Sequence, residues 1–239
     1  MVKIIFYLGL LVLSMGSVLG QQLASTSGNL EQYKEELPFF QELITGGQYQ
    51  DPPSNYDGDP FYLSKTFELG GLRINQIYYP EVYLLYDIRY DQVLTIHPVF
   101  SEKLLINPEK INEFRLNDGS VFQKLDGNES YSHHKKGFYQ VLEEGRFTLV
   151  SKHYKAVKKS TEIGKTMGSY EEFEDFFLVD TEGFHPIKTK KQAIKHLRVS
   201  KKLVREKLTK NKIYFNQNKE LFLKELVSVA NQHASSIQE

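Results

Sequence analysis

The sequence predicts an α+β protein, mainly antiparallel β in a sandwich or open barrel, with three short C-terminal helices. Three observations lead there. Residues 61–188 fall into short runs with a two-residue apolar period, as half-buried strands do. Tight turns rich in Gly, Asp and Asn separate those runs, and no long crossover helix interrupts them, which disfavours a parallel sheet. From residue 189 the apolar spacing changes to that of amphipathic helices.

The chain opens with Lys3 ahead of an apolar run from Ile4 to Leu13, loosened by Ser14, Gly16 and Ser17 and ending Val18-Leu19-Gly20. A charged start, an apolar middle and a small residue before the cut form a secretory signal peptide. Residues 1–20 are therefore expected to be removed by cleavage after Gly20. The run is shorter than the roughly 20 apolar residues that span a bilayer, and no later segment is apolar enough to do so, so no transmembrane segment is expected. Residues 21–60 read as a polar start, one or two helical turns around Leu30, Tyr33 and Leu37 that Pro38 ends, and a loop rich in Gly, Pro and Asp.

The β domain is assigned to residues 61–188. Leu72, Ile74 and Tyr78 suggest its first strand, and residues 81–90 its clearest. There Val82, Leu84, Tyr86, Ile88 and Tyr90 share one face, while Asp87, Arg89 and Asp91 are placed on a wet one. Strands follow at 92–97 and 104–106. Three hairpins come next: 111–116 with 121–125 around Asp118-Gly119, 138–142 with 146–153 around Glu144-Gly145, and 176–180 with 184–188 around Glu182-Gly183. The polar stretch 155–170 is expected to be loop.

The segment 189–239 is read as basic and helical, packed on the sheet. Ala193, Ile194 and Leu197 share a face. Ser200 caps a second helix with Leu203, Val204 and Leu208, and Asn218 caps a third with Phe222, Leu223, Leu226, Val227 and Ala230.

The chain has no cysteine, so an exported domain would depend on its own core without disulfides. Net charge is zero but unevenly spread. Residues 21–91 carry eleven acidic side chains against four basic ones, and residues 188–212 carry eleven Lys or Arg against Glu206 alone. In a cytosolic protein such a basic run would suggest nucleic acid; export excludes that partner. The expected partner is an anionic envelope component or another envelope protein, met by Lys191, Lys195, Arg198, Lys201, Lys202 and Arg205. The competing reading is a solvated face that balances the acidic N-terminal third.

Several stretches together carry a resemblance: Gly46-Gly47-Gln48-Tyr49 leading to Gly58-Asp59-Pro60-Phe61-Tyr62, Leu84-Leu85-Tyr86-Asp87-Ile88, Gly137-Phe138-Tyr139 with Glu144-Gly145, Lys190-Lys191, and Asn211-Lys212-Ile213-Tyr214-Phe215. The chain resembles an uncharacterised family of secreted or periplasmic Bacteroidota-type proteins with a β-rich domain and a Lys-rich helical C-terminus. The resemblance implies a Gram-negative envelope setting, in the periplasm, at the outer-membrane periphery or secreted. It brings no functional residues with it.

The residues themselves offer no nucleophile elbow, phosphate loop or dinucleotide fingerprint. No catalytic residue, cofactor or metal is expected. No two of the seven histidines have the two-residue strand spacing or the three- to four-residue helix spacing of metal ligands. His133 and His134 read as solvated loop, and Asp57-Gly58-Asp59 as a turn lacking the further oxygens of a calcium loop. Asp87 and Asp91 flanking Arg89 read as a surface ion pair. The function expected is a non-catalytic envelope binding or scaffold module. The alternative is a hydrolase of unfamiliar type, using Asp or Glu with His, among them Asp87, Asp91 and His97, on the open face of the sheet.

Overall fold

A computed structural model describes residues 41–44, 46–160 and 167–235 of the chain. The expected signal peptide, its cleavage site and the helical turns before residue 41 lie outside these. Gln41–Ile44 form a single 3₁₀ turn.

Eleven strands make one mostly antiparallel sheet. They are β1 (Tyr56–Asp57), β2 (Glu68–Ile74), β3 (Ile77–Asp87), β4 (Gln92–Ile96), β5 (Lys103–Leu105), β6 (Ile111–Arg115), β7 (Val121–Leu125), β8 (Gly137–Glu143), β9 (Thr148–Lys159), β10 (Gly168–Asp180) and β11 (Gly183–Pro186). Their order is β1-β10-β9-β8-β7-β6-β2-β3-β4-β5, with β11 beside β10. Two meanders, β2–β5 and β6–β11, are thus joined along β2 and β6. Among the described residues only the two-residue β1 runs parallel to its neighbour, β10. The sheet is open, so the expected α+β class forms without the second layer of a sandwich.

The sheet curls strongly. β3 and β9 are separated in its order by four strands. Yet the amide of Lys155 on β9 donates to the carbonyl of Ile88, just past β3, at 3.4 Å. Aromatic rings fill the concavity. Tyr86 on β3 lies 5.0 Å from Phe114 on β6 and from Phe122 on β7, centroid to centroid. Phe138 on β8 closes the group at 5.2 Å from Phe114. Leu72, Ile74, Val82, Leu84 and Ile88 belong to the same cluster. Such edge-on ring pairs add to the burial of large apolar surface.

The helices plug the other end of the same concave face. They are α1 (Lys190–His196), α2 (Lys201–Val204, whose last turn widens into a π turn at Arg205–Thr209) and α3 (Lys219–Ser235). Leu142, Leu149, Phe176 and Leu178 of the sheet pack there with Ala193, Leu208, Phe222 and Leu226. The expected caps form. Ser200 Oγ accepts from the Leu203 amide at 3.2 Å, and Asn218 Oδ1 from the Leu221 amide at 2.8 Å. Thr189 and Gln192 add a capping box to α1. No described helix is long and apolar enough to cross a membrane.

Two expectations fail. At both ends the stretch 155–170 is strand rather than loop: β9 runs on to Lys159, and β10 begins at Gly168. Both faces of this ribbon extend past the core, so its residues are polar without being irregular. Cross-strand charges hold it, Lys155 to Glu172 at 3.5 Å and Lys158 to Glu171 at 3.0 Å. Asp87 and Asp91 are not on a wet face either. β3 stops at Asp87 and the chain turns, with Asp91 at φ +58°. Both side chains are buried because the curl encloses this corner from both sides.

Candidate functional site

The capping box fixes the start of α1, and Ala193 and Leu197 anchor it in the helical core. This turns Lys195 and Arg198 away from the core, toward the turn that joins β10 to β11. Arg146, in the turn between β8 and β9, faces them. Arg146, Asp180, His185, Lys195, His196 and Arg198 thereby line one pocket of about 600 Å³. Of the six cations expected to meet a partner, the structure brings Lys195 and Arg198 together here. Lys191 on α1, and Lys201, Lys202 and Arg205 on α2 and its π turn, are exposed but do not line the pocket. Among the described residues none of the six is ion-paired with a carboxylate. Their charge is thus not neutralised by direct pairing with the described acidic side chains of residues 41–91.

At the floor of the pocket two histidines share one carboxylate. His196 Nε2 lies 2.8 Å from Asp180 Oδ2, and His185 Nε2 lies 3.2 Å from Asp180 Oδ1. The two imidazole centroids are 4.0 Å apart. Asp180 is the last residue of β10, His185 sits on β11 across the tight turn, and His196 ends α1. The register pairs Leu178 with His185, so Asp180, two residues on, has its side chain on the same face as His185. Asp180 Oδ1 also accepts from the Glu182 amide at 2.8 Å and so holds the turn. Burial alone would raise the Asp180 pKa. Hydrogen bonds from His196, the Glu182 amide and His185 outweigh that and hold the carboxyl below its usual value. Sequence spacing missed this cluster because its members stand five and eleven residues apart on three elements. The turn signal at Glu182-Gly183 could have paired Asp180 with His185; nothing in the sequence pointed to His196.

The residues expected for hydrolysis are occupied otherwise. Asp87 Oδ1 caps the amides of Arg89 at 2.8 Å and Tyr90 at 3.1 Å, and its Oδ2 accepts from Tyr49 Oη at 2.7 Å. Asp91 is bound to Tyr86, Lys152 and Phe138. His97 Nδ1 accepts from the amides of Val99 and Phe100 in the next turn. His134 Nε2 sits 2.8 Å from the Arg89 carbonyl, and His133 stacks on Tyr154 at 4.1 Å. Asp59, of the pseudo-calcium turn, accepts from the Phe61 amide and pairs with Lys65 and Lys155.

A second polar group lies between the two apolar clusters of the concave face. His153 Nε2 is 2.7 Å from Gln140 Oε1, 3.1 Å from Ser151 Oγ and 3.6 Å from Glu174 Oε1. Burial pushes His153 down to about 4 and Glu174 up to about 7. The trio superficially suggests a hydrolase, but its geometry is wrong. A serine–histidine–acid relay uses both ring nitrogens, one toward each partner. Here all partners crowd Nε2, while Nδ1 has none. Ser151 is fully buried as well, so no substrate reaches its hydroxyl.

No known family model, curated protein or solved structure matches this chain.

Proposed function

We propose that this protein is an exported, non-catalytic binding or scaffold module of a Bacteroidota-type cell envelope, which takes an anionic partner at the pocket between α1 and the turn joining β10 to β11. The observation that carries the reading is the convergence of Arg146, Lys195 and Arg198 on that pocket, with Lys191 exposed on α1 and Lys201, Lys202 and Arg205 exposed on α2 and its π turn. Guanidinium groups recognise carboxylate and phosphate oxygens in a fixed fork, and lysine adds a mobile point charge. Exposed cations with no carboxylate partner among the described residues raise the local concentration of anions and steer their approach. The export address rests on the pattern of residues 1–20, and the envelope setting on the resemblance described above. Nucleic acid does not fit that address. The hydrolase alternative gains no support from the occupied side chains of Asp87, Asp91 and His97.

The test is sedimentation of the purified chain with vesicles of phosphatidylglycerol and phosphatidylcholine, at low salt and at 0.5 M NaCl. Binding to the anionic vesicles that high salt abolishes, and that the R146Q/K195Q/R198Q variant loses, is the expected result. Equal retention by neutral vesicles, or full retention by the variant, refutes the role given to the pocket. Should neither vesicle bind, the anionic partner is not a lipid, and capture of a negatively charged envelope protein by the wild type but not by the variant becomes the required result.

A further inference from the structure

We propose that Asp180, His185 and His196 form a three-ligand site for a divalent transition-metal ion, best suited to Zn²⁺. The ligand atoms of the three side chains all lie within 4.8 Å of one another. Two imidazole nitrogens and a carboxylate oxygen are a donor set for zinc and its neighbours, whereas Ca²⁺ and Mg²⁺ select oxygen ligands. Zinc bonds of about 2.0–2.2 Å set tetrahedral ligand-to-ligand distances of roughly 3.3–3.6 Å. The two His–Asp separations, 2.8 and 3.2 Å, are already close to that range. A metal between the three groups would push each imidazole nitrogen away from Asp180 by some tenths of an ångström.

A carboxylate that merely clamps a helix to a hairpin needs one histidine. Asp180 holds two, with their rings 4.0 Å apart, and does so at the floor of an open pocket. The frame is fixed on both sides. His196 ends a helix with a complete capping box, and Asp180 and His185 flank a tight turn tied by the Glu182 amide. In the metal-bound form each Nε2 gives up its proton and presents its lone pair, so the direct hydrogen bonds to Asp180 are exchanged for bonds to the ion. All three side chains line the pocket, which would be the path of entry for the ion and leave room for a further ligand, as in zinc sites that keep a position open. The site does not depend on the anion reading, because Arg146, Lys195 and Arg198 are not among its ligands.

The experiment is titration of the purified, chelator-stripped chain with ZnCl₂ by calorimetry, and with CoCl₂ by visible absorption. One equivalent of Zn²⁺ should bind, and Co²⁺ should show the intense d–d bands of a four-coordinate ion. H185Q and H196Q should each weaken binding by at least ~100-fold, beyond the ~10–100-fold that outer-shell partners carry. H133Q and H134Q should bind as the wild type does. R146Q/K195Q/R198Q, which takes three positive charges away from the same pocket, should bind Zn²⁺ at least as tightly as the wild type even if it no longer binds anionic vesicles, which separates this proposal from the previous one. In case a histidine variant fails to fold, the wild-type imidazole resonances provide a second readout: Zn²⁺ should shift those of His185 and His196 and leave His133 in place. Absence of stoichiometric binding, unchanged affinity in folded H185Q and H196Q, or shifts confined to other histidines would overturn the assignment.

Discussion

Lys152, fully enclosed on β9, places its ammonium 2.8 Å from Asp91 Oδ1 across the curl of the sheet. The same nitrogen donates to the Phe138 carbonyl at 2.8 Å and sits 5.0 Å above the Tyr139 ring. Asp91 in turn accepts from Tyr86 Oη at 2.5 Å and from the Phe138 amide at 3.1 Å. Three segments distant in sequence therefore meet at one buried ion pair: the turn after β3, the start of β8 and the middle of β9. Burial pulls the Lys152 pKa down, and Asp91 opposes that pull. Removing one member of a buried pair strands the other charge, which typically costs about 3–5 kcal/mol. K152M should lower stability by that amount in urea unfolding. K152M/D91L, which removes both charges, should recover much of the loss. A K152M cost below about 1 kcal/mol would show that water reaches Asp91 and that the pair does not close the curl.

Gly137 makes room for this pair. A Cβ at residue 137 would run into Asp91 Oδ2 and come within 2.9 Å of Lys152 Nζ. G137A should therefore cost about 1–3 kcal/mol, as overpacking of an ordered interior does. Because the clash is with the Asp91 side chain, the cost should shrink in a D91A background, where the two effects are coupled. A double-mutant cycle by urea unfolding measures this; strict additivity would place the strain elsewhere.

Much of the fold was legible in local chemistry, and the parts that were not depend on distant contacts. Gly119 adopts φ +87° between β6 and β7, as the Asp118-Gly119 pair announced. Ser200 and Asn218 cap the helices they were expected to cap. The ribbon at 155–159 and 168–170 was misread because polarity on both faces looks like loop when no core lies beneath it. Asp87 and Asp91 were misread because the two-residue period says which residues share a face, but not whether a curled sheet encloses both faces. Lys195 and Arg198 could be singled out by charge alone. Their meeting with Arg146, and the convergence of Asp180, His185 and His196, needed the packing of α1 against a hairpin turn.

Asn231 of α3 reads the backbone of the β8–β9 turn. Its Oδ1 accepts from the Phe147 amide at 2.9 Å, and its Nδ2 donates to the carbonyls of Phe147 at 3.0 Å and Glu144 at 3.3 Å. One side chain thus satisfies a donor and two acceptors of a turn beside Arg146. N231A should cost about 1–3 kcal/mol, since partly buried backbone groups lose their partners. Amide exchange at Phe147 should accelerate more than exchange in the strand interior, because the loosening is local. Unchanged protection at Phe147 would mean that this contact does not hold the hairpin to the helix.

Glu174 and His153, paired across β10 and β9, give stability opposite responses to pH. The Glu174 pKa is raised from 4.5 to about 7 by burial, with a hydrogen bond from Ser151 working against the rise. The folded state thus favours its protonated form, and that contribution is complete below pH 4.5 and lost as pH rises through 7. His153 is lowered from 6.5 to about 4 by burial, with Lys152 adding to the fall. Its contribution is complete above pH 6.5 and lost as pH falls through 4. Between pH 4.5 and 6.5 the two slopes offset each other in the wild type. E174Q keeps the shape of the protonated acid and removes only the first slope. Its stability relative to wild type should therefore improve from pH 4.5 to pH 8, by about 1–2 kcal/mol once screening at the partly exposed carboxyl is allowed for. Urea midpoints of both proteins at pH 4.5, 6 and 8 decide the matter. A difference that stays flat across this range, or improves toward acid, would mean that Glu174 is ionised in the folded protein and paired with a protonated His153.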